Sequence, residues 1–489
     1  VVFIVNSRAR WTPLLTLLLC AGCASIPADR GLSDVQAQIT ERGGAQLPSP
    51  DSFDKSADDA AESAQLVSEL LSHTPLTVDD AVRIALIANP KLRSEYAKLG
   101  LSGAEVYSAG RLSNPTLSAS ILFGGDGDKT TFGLAQSFTD LLFLPARSRL
   151  AQAEFERAKV VMGGELINFS GDVEAAYYRL VGATQVARMR AAVAQATTTS
   201  AALAQRFADA GTLSALALAQ NQIEAEQTQL DALAAQGEVA TARAALNQLM
   251  GLDAARNTWT VAEQLPAPVA VEDELPALQT LAERSRLDLD AARRKVVLLE
   301  DALGVARSTR FLGDGRGGDG QVGVETEREA DGSNFTGPTL ALQLPLFQQG
   351  QGSGLRARSQ LELSRAARDA LQVEISNAVQ LAHTRVTSAR TAALRYQQIV
   401  VPLRASIVKH TQREANYMLI GQFELIRAKQ QEYETYQKAL EAARDYWLAR
   451  IELARAVGSR LPSTVQITTP TSPAAPCAQP DDHVHQHQH

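Results

Sequence analysis

The residues best equipped for chemistry lie at the C-terminal end. His483, His485, His487 and His489 alternate within seven residues, with Cys477, Asp481 and Asp482 close by. Imidazoles on a flexible segment at that spacing can hold Cu, Zn or Ni transiently. The segment reads as a metal-capture tail; the plainer alternative is a polar tail in which histidine is frequent by chance. With only 4 Met in 489 residues, a thioether relay for Cu(I) is not indicated. Gly313-Asp314-Gly315-Arg316-Gly317-Gly318 contains GxGxxG, but it precedes an alternating strand pattern and opens no helix. It therefore fails the context of a dinucleotide fingerprint and reads as a loop before a hairpin. HExxH and GxSxG do not occur, and the one CxxC, Cys20-Ala21-Gly22-Cys23, closes the N-terminal apolar run, so no nucleophile–base pair or metal-bound water can be assembled, and no enzyme is expected.

The elements around these residues occur twice. Each half carries a helical pattern, two short alternating strands and a very long Ala/Gln-rich helix that turns back at a glycine. Phe207, Gly211, Leu216 and Gln220 align with Tyr417, Gly421, Ile426 and Gln430, and the stretch Leu134–Phe138 aligns with Leu342–Leu346. Such self-similarity points to a duplicated unit. Aromatic residues make up 5% of the chain, a composition suited to long helices meeting through small side chains over a narrow seam. The formal net charge of −7, without a basic stripe interleaved with aromatics, excludes a nucleic-acid partner.

At the other end, Arg8 and Arg10 precede an apolar run from Trp11 to Leu19, followed by Cys20-Ala21-Gly22-Cys23. A basic region, a short apolar core and a small-residue site make a secretory signal peptide. The core is shorter than the ~20 residues a membrane-spanning helix needs. The tetrad resembles a bacterial lipobox, with Cys20 where an aliphatic residue is usual; this implies cleavage before Cys23, a covalent lipid on Cys23 and, with Ala24 following, outer-membrane sorting. Cleavage near Ala24 without lipid is the alternative. No later run of 18 apolar residues occurs, but strands can also cross a membrane.

Thr77-Val78-Asp79-Asp80 reads as a helix start, with Thr77 as cap and Asp80 at the positive end, and Asn89-Pro90 as a break or kink. From Thr116 to Phe123, Leu117, Ala119, Ile121 and Phe123 alternate with mostly hydroxyl residues, giving a strand with one apolar face. Phe132, Leu134 and Phe138 continue the alternation on the return. The second hairpin places Val322, Val324 and Thr326 on one strand and Leu340, Leu342, Leu344 and Leu346 on the other. Four strands are too few to close a barrel, so other chains must complete it. Long helices are expected from near Pro145 to about Phe207 and from near Gly352 to about Tyr417, kinked at Pro402. In the second, Leu371, Ile375, Val379, Ala382, Val386 and Ala389 follow a three-and-four spacing for antiparallel packing. The expected division is a signal peptide over 1–22, a lipid-bearing arm over 23–75 and a first repeat over 76–258. A linker over 259–274, a second repeat over 275–460 and a disordered His-rich tail over 461–489 follow.

Leu76-Thr77-Val78-Asp79-Asp80-Ala81 with Asn89-Pro90, Gly337-Pro338-Thr339-Leu340 leading to Leu344-Pro345-Leu346-Phe347, and the turn after Tyr417 together resemble the TolC-like outer-membrane efflux proteins of the lipoprotein branch. The resemblance runs from about Leu76 to Gly458. It implies a mainly α fold with a small β part: a homotrimer whose 12-stranded β-barrel sits in outer-membrane lipid on a periplasmic α-helical barrel. It further implies that Leu117, Ile121, Phe123, Leu340 and Leu342 face lipid. The turns holding Asp209 and Gly211, and Tyr417 and Gly421, would form the periplasmic entrance that meets an adaptor protein and its inner-membrane pump. The family often places two acidic residues three apart after the second turn; here they are Glu424 and Arg427, which could instead form an intrahelical ion pair. The function so implied is a passive exit duct, with the His tail tilting the cargo toward heavy-metal cations. Export of drugs, type I secretion, and a structural envelope lipoprotein that transports nothing are the alternatives. No resident cofactor is expected.

Overall fold

The computed structural model describes residues 29–43, 57–123, 128–253, 259–308, 320–329, 331–342 and 351–462. Cys23, the glycine-rich loop, Leu344, Leu346 and the four tail histidines lie outside them. The described chain is mainly helical with one small sheet. Helices α1 (Leu32–Glu41), α2 (Ala57–Ser72), α3 (Val78–Ala88) and α4 (Pro90–Ala109) lead to strands β1 (Thr116–Leu122) and β2 (Lys129–Ser137). Helix α5 (Phe138–Asp209) follows, then α6 (Ala215–Met250), α7 (Leu275–Ser285) and α8 (Leu287–Ser308). Strands β3 (Gly320–Arg328) and β4 (Asn334–Leu342) precede α9 (Gln351–Arg395), a π turn (Tyr396–Val400), α10 (Val401–Asn416) and α11 (Gln422–Val457).

The start of α3 follows from its first residues. The Thr77 hydroxyl accepts from the Asp80 amide at 3.1 Å while the Asp80 carboxylate accepts from the Thr77 amide at 3.4 Å, a reciprocal capping box. Burial pushes the Asp80 carboxyl up, but hydrogen bonds from Thr77 and His73 outweigh it and hold the group below its ordinary range.

Helix α5 begins at Phe138, directly where β2 ends, with Ser137 as its cap. Phe138 is therefore helical rather than the last residue of the alternating strand, and Pro145 lies inside the helix, not at its start. At 1.5 Å per residue its 72 residues make a rod of roughly 110 Å. The second rod begins at Gln351 and carries a π turn in place of a simple proline kink. The Val401 amide donates five residues back to Tyr396, immediately before Pro402, whose ring would otherwise press on the carbonyl four residues back. Ile375, Val379, Ala382 and Val386 are buried along its seam.

Two joints tie the rods to the shorter helices. The last turn of α6 abuts the start of α4. Gly251 ends α6 at φ 68°, and a Cβ there would lie 2.7 Å from the Ala88 carbonyl oxygen. Asn89 serves both helices: its side-chain oxygen accepts from the Lys91 amide at 2.8 Å, and its nitrogen donates to the Leu249 carbonyl at 2.7 Å. The expected break at Asn89-Pro90 is thus an end-to-end junction. At the other joint Gly458 ends α11 at φ 75°, and the Arg286 guanidinium donates to the Arg455 and Ala456 carbonyls at 3.3 and 3.1 Å. A cation there also suits the negative end of the helix dipole.

The segment over 259–274, expected as a linker, is a strap bonded along its length. The Leu76 amide donates to the Thr260 carbonyl at 2.8 Å, and the Tyr177 hydroxyl donates to the Leu76 carbonyl. The Trp447 indole donates to the Pro266 carbonyl at 2.8 Å, and Arg390 donates to the Val269 carbonyl at 2.9 Å. Arg450 and Glu272 form an ion pair with side chains only 4% and 6% exposed. Tyr446 donates to Glu272 at 2.6 Å; burial, reinforced by that bond, pushes its phenol up to about 12, so it stays a donor across the physiological range. Tyr178 stacks on Trp447 with centroids 5.2 Å apart, and it packs against both of the two main core clusters.

Removing one partner of the buried pair strands a charge, so Glu272→Ala lowers unfolding free energy by about 3 to 5 kcal/mol. Combining it with Arg450→Met recovers most of that loss. Thermal unfolding of the purified protein measures both; a single-variant loss below about 1 kcal/mol contradicts a dry pair.

Candidate functional site

Two regions at opposite ends of the rods carry the expected functional residues. The first is the sheet, antiparallel throughout in the order β1-β2-β3-β4. The register sorts its side chains. Leu117, Leu134, Val324 and Pro338 lie in one row, Ala119, Phe132, Thr326 and Thr336 in the next, and Val322 pairs with Leu340 and Gly320 with Leu342. Together with Ile121 these give one face a predominantly apolar band, with Gln136 toward the helix end and Thr130, Arg328 and Asn334 toward the loop end. The opposite face carries Ser118, Ser120, Gly133, Thr131, Gly323, Glu325, Glu327, Gly337 and Thr339. Leu122 and Phe335 are its large apolar exceptions, both toward the loop end.

Apart from Phe138 and Thr139 against Gly320 at the helix end, no described residue covers the apolar face. Leu117 is 76% exposed and Leu340 is 72% exposed, and Ile121 and Leu342 are exposed too. Phe123 stands one residue beyond β1 and is also exposed. The outer sides of β1 and β4 have no strand partner among the described residues. Below the sheet, Asp140 is buried, accepts from the Ser113 amide at 3.3 Å and pairs with Arg147 at 3.4 Å. The Phe138 ring covers Gly320. The sheet is thereby seated on the first rod without an intervening loop.

The second region is the pair of helix reversals. In the first, Gly211 takes φ 74°, and the Thr212 amide donates to the Phe207 carbonyl at 2.9 Å, closing the end of α5. Asp209 is exposed and accepts from Gln205 at 2.8 Å. Ser214 then caps α6, accepting from the Ala217 amide at 3.2 Å. In the second, the left-handed residue is Met418, at φ 60°, and the Leu419 amide donates to the Glu414 carbonyl at 3.0 Å. Gly421 has φ −74° and acts only as the residue preceding α11. The conformational counterparts Gly211 and Met418 are 207 positions apart, as are Gly251 and Gly458. The glycine-to-glycine alignment of Gly211 with Gly421 is three residues out of register.

Tyr417, Met418 and Leu419 are 78%, 92% and 73% exposed, and Phe207 and Leu216 are exposed beside the first turn. The apex is therefore apolar, and the Tyr417-Met418-Leu419-Ile420 run in a turn is its signal in the sequence. Glu424 and Arg427 are both exposed, and no ion pair joins them among the described residues. Arg427 instead lines a groove of about 720 Å³ between α6 and α11, with Glu224, Asp231 and Glu434. Gln430 donates to Glu224 across it at 3.0 Å. No cluster of three or more His, Cys, Asp or Glu able to hold a metal is found among the described residues. None of the described helices is long and apolar enough to cross a membrane.

Comparison with known proteins bears on this geometry. No family model matches the chain. It is 27% identical over 341 residues to protein CyaE of Bordetella pertussis, covering 65% of this chain and 70% of that protein. It is 23% identical over 338 residues to the cobalt-zinc-cadmium resistance protein CzcC of Cupriavidus metallidurans, covering 67% and 77%. Among solved structures it is similar to CusC, crystallised in a study of transmembrane channel formation, with a TM-score of 0.63 at 17% identity over 79% of this chain and 92% of that one.

The left-handed Met418 costs about 1 kcal/mol relative to glycine. Met418→Gly therefore slows hydrogen exchange at the second turn about fivefold, and Gly211→Ala speeds exchange at the first by a similar factor. Unchanged exchange of the Leu419 and Thr212 amides contradicts the assigned turn geometry.

Proposed function

Because the chain has the fold of the TolC-type outer-membrane channels, we propose that it is the outer-membrane duct of a tripartite exporter, a passive exit from periplasm to exterior. One observation carries the reading: a four-stranded sheet with a mainly apolar face, a polar face and, among the described residues, two edges without a strand partner. In hydrocarbon an unpaired backbone group costs several kcal/mol, so such a sheet is tolerable there only when closed. Three copies give 12 strands, enough for a closed barrel around water. Leu117, Ile121, Leu340 and Leu342 then meet lipid, with Phe123 at the rim, and the hydroxyl-bearing face lines the bore.

The rest of the chain fits that role. The recurring order of hairpin and long helix, with reversal and joint positions 207 residues apart, supports duplication of one unit. Rods on the order of 100 Å suit a helical barrel across the periplasm. The apolar apex around Phe207 and Met418, beside Asp209, Gly211, Tyr417, Gly421, Glu424 and Arg427, offers the surface for a periplasmic adaptor, through which an inner-membrane pump supplies the energy. Lipid on Cys23 would add an anchor. Heavy-metal cations are the favoured cargo. The support is the name of the CzcC relative and the alternating His483, His485, His487 and His489, which could take Cu, Zn or Ni transiently. A multidrug or type I secretion channel is the second reading, since the same duct would serve either.

Ile121→Arg or Leu342→Arg places a charge at the lipid face, at a cost of ~2 to 4 kcal/mol per copy. Each abolishes recovery in the outer-membrane fraction while Ser120→Arg, on the polar face, does not; equal recovery of all three contradicts the barrel. For cargo, a strain lacking only residues Cys477 to His489 is more sensitive to copper, zinc or nickel than one with the full chain. Equal resistance discards the metal role of the tail.

A further inference from the structure

Charge is unevenly placed on the polar face of the sheet. Its ionisable side chains in the described strands are Lys129, Glu325 and Glu327, since Arg328 shares the other face with Thr130 and Asn334. Lys129 and Glu327 form an ion pair and cancel. Glu325 is exposed, and no described residue pairs with it or hydrogen-bonds to its carboxylate. In the register it stands between Gly133 and Gly337, so neither neighbouring strand raises a side chain beside it, and Ser118 is next beyond Gly133. One negative charge per chain is left, unshielded, at one level of the face.

We propose that Glu325 sets the charge preference of the bore, as a specificity-determining carboxylate that each of three copies contributes and that favours cations over anions. This rests on the trimeric-channel reading above. Strands about 4.8 Å apart and tilted about 40° give a 12-stranded barrel a backbone radius of roughly 12 Å. Glutamates reaching about 5 Å inward form a ring with about 12 Å between carboxylates. Their fields overlap on the axis, because that spacing is near the Debye length of about 8 to 10 Å, and low-dielectric walls focus them further. The periplasmic reversals carry no matching pair of acids, since Arg427 stands three residues after Glu424. A cation-favouring bore fits a metal-ion cargo better than an anionic one.

The test uses the full chain with Cys477→Ser, assembled in outer membranes, with Ser118→Cys as reporter two strands, about 10 Å, from Glu325. Membrane-impermeant thiosulfonate reagents of opposite charge are applied from outside, and their labelling rates are compared. The cation-to-anion rate ratio falls about threefold in Glu325→Gln at 0.1 M salt, the change disappears at 1 M salt, and Glu325→Asp keeps the original ratio. Glu325→Thr gives the same fall if the glutamine variant does not assemble. An unchanged ratio with Ser118→Cys still labelled overturns the role of Glu325 and leaves the channel intact. Labelling of Leu117→Cys in place of Ser118→Cys, or of neither, overturns the channel reading and the proposal with it.

Discussion

Everything in this molecule depends on a sheet that cannot satisfy itself. Among the described residues, four strands leave the outer sides of β1 and β4 without strand partners and a band of Leu, Ile, Val and Phe on one face largely without cover. In water the apolar face is a liability to aggregation, and in lipid the edges are. Closure with further strands would pair the edges, and lipid around the closed barrel would cover the apolar face. Exposure of Leu117 and Leu340 is what the proposed lipid-facing wall requires, since an apolar band of this size is otherwise an aggregation liability in water.

A sheet that must meet its neighbours in register needs a rigid base. The chain supplies one by running β2 into α5 without a loop and burying Asp140 and the Phe138 ring at the junction. Further along, the shorter helices are set end to end on α6 and α11 at Gly251 and Gly458, so that each rod has a partner over much of its length. Asn89 and Arg286 satisfy the carbonyls that a helix end leaves open. The strap over 259–274 then links the two halves through contacts that include the Arg450–Glu272 pair, and the Tyr178–Trp447 stack joins the rods directly. Rigidity between the sheet and the reversals is thus built from a few polar closures, since seams of Ala and Val bury little area per residue.

Local patterns were the legible part. Strict alternation from Leu117 to Ile121, the Thr77–Asp80 cap and the three-and-four spacing of Ile375, Val379 and Val386 each depend on neighbours in sequence, and each appears where expected. Features set by contact across the fold were not legible. The strap looked like a linker because its partners, Tyr177, Arg390, Tyr446, Trp447 and Arg450, are distant in sequence. Pro145 suggested a helix start because proline favours first turns, whereas Ser137 caps the helix from the strand side. Gly421 seemed the natural left-handed residue, yet Met418 takes that conformation, because the Leu419–Glu414 bond fixes where α10 ends. Residue type gave the existence of both reversals and misplaced the second by three positions.

The central claim, that the free edges of one sheet are met by those of two other copies, is tested most directly by cross-linking them. Cysteines are placed pairwise along β1 and β4, in a background without Cys477, and oxidised in outer membranes. The account predicts that register-matched pairs trap a single covalent species of three chains. A ladder of open-ended oligomers, or linkage confined within one chain, contradicts it.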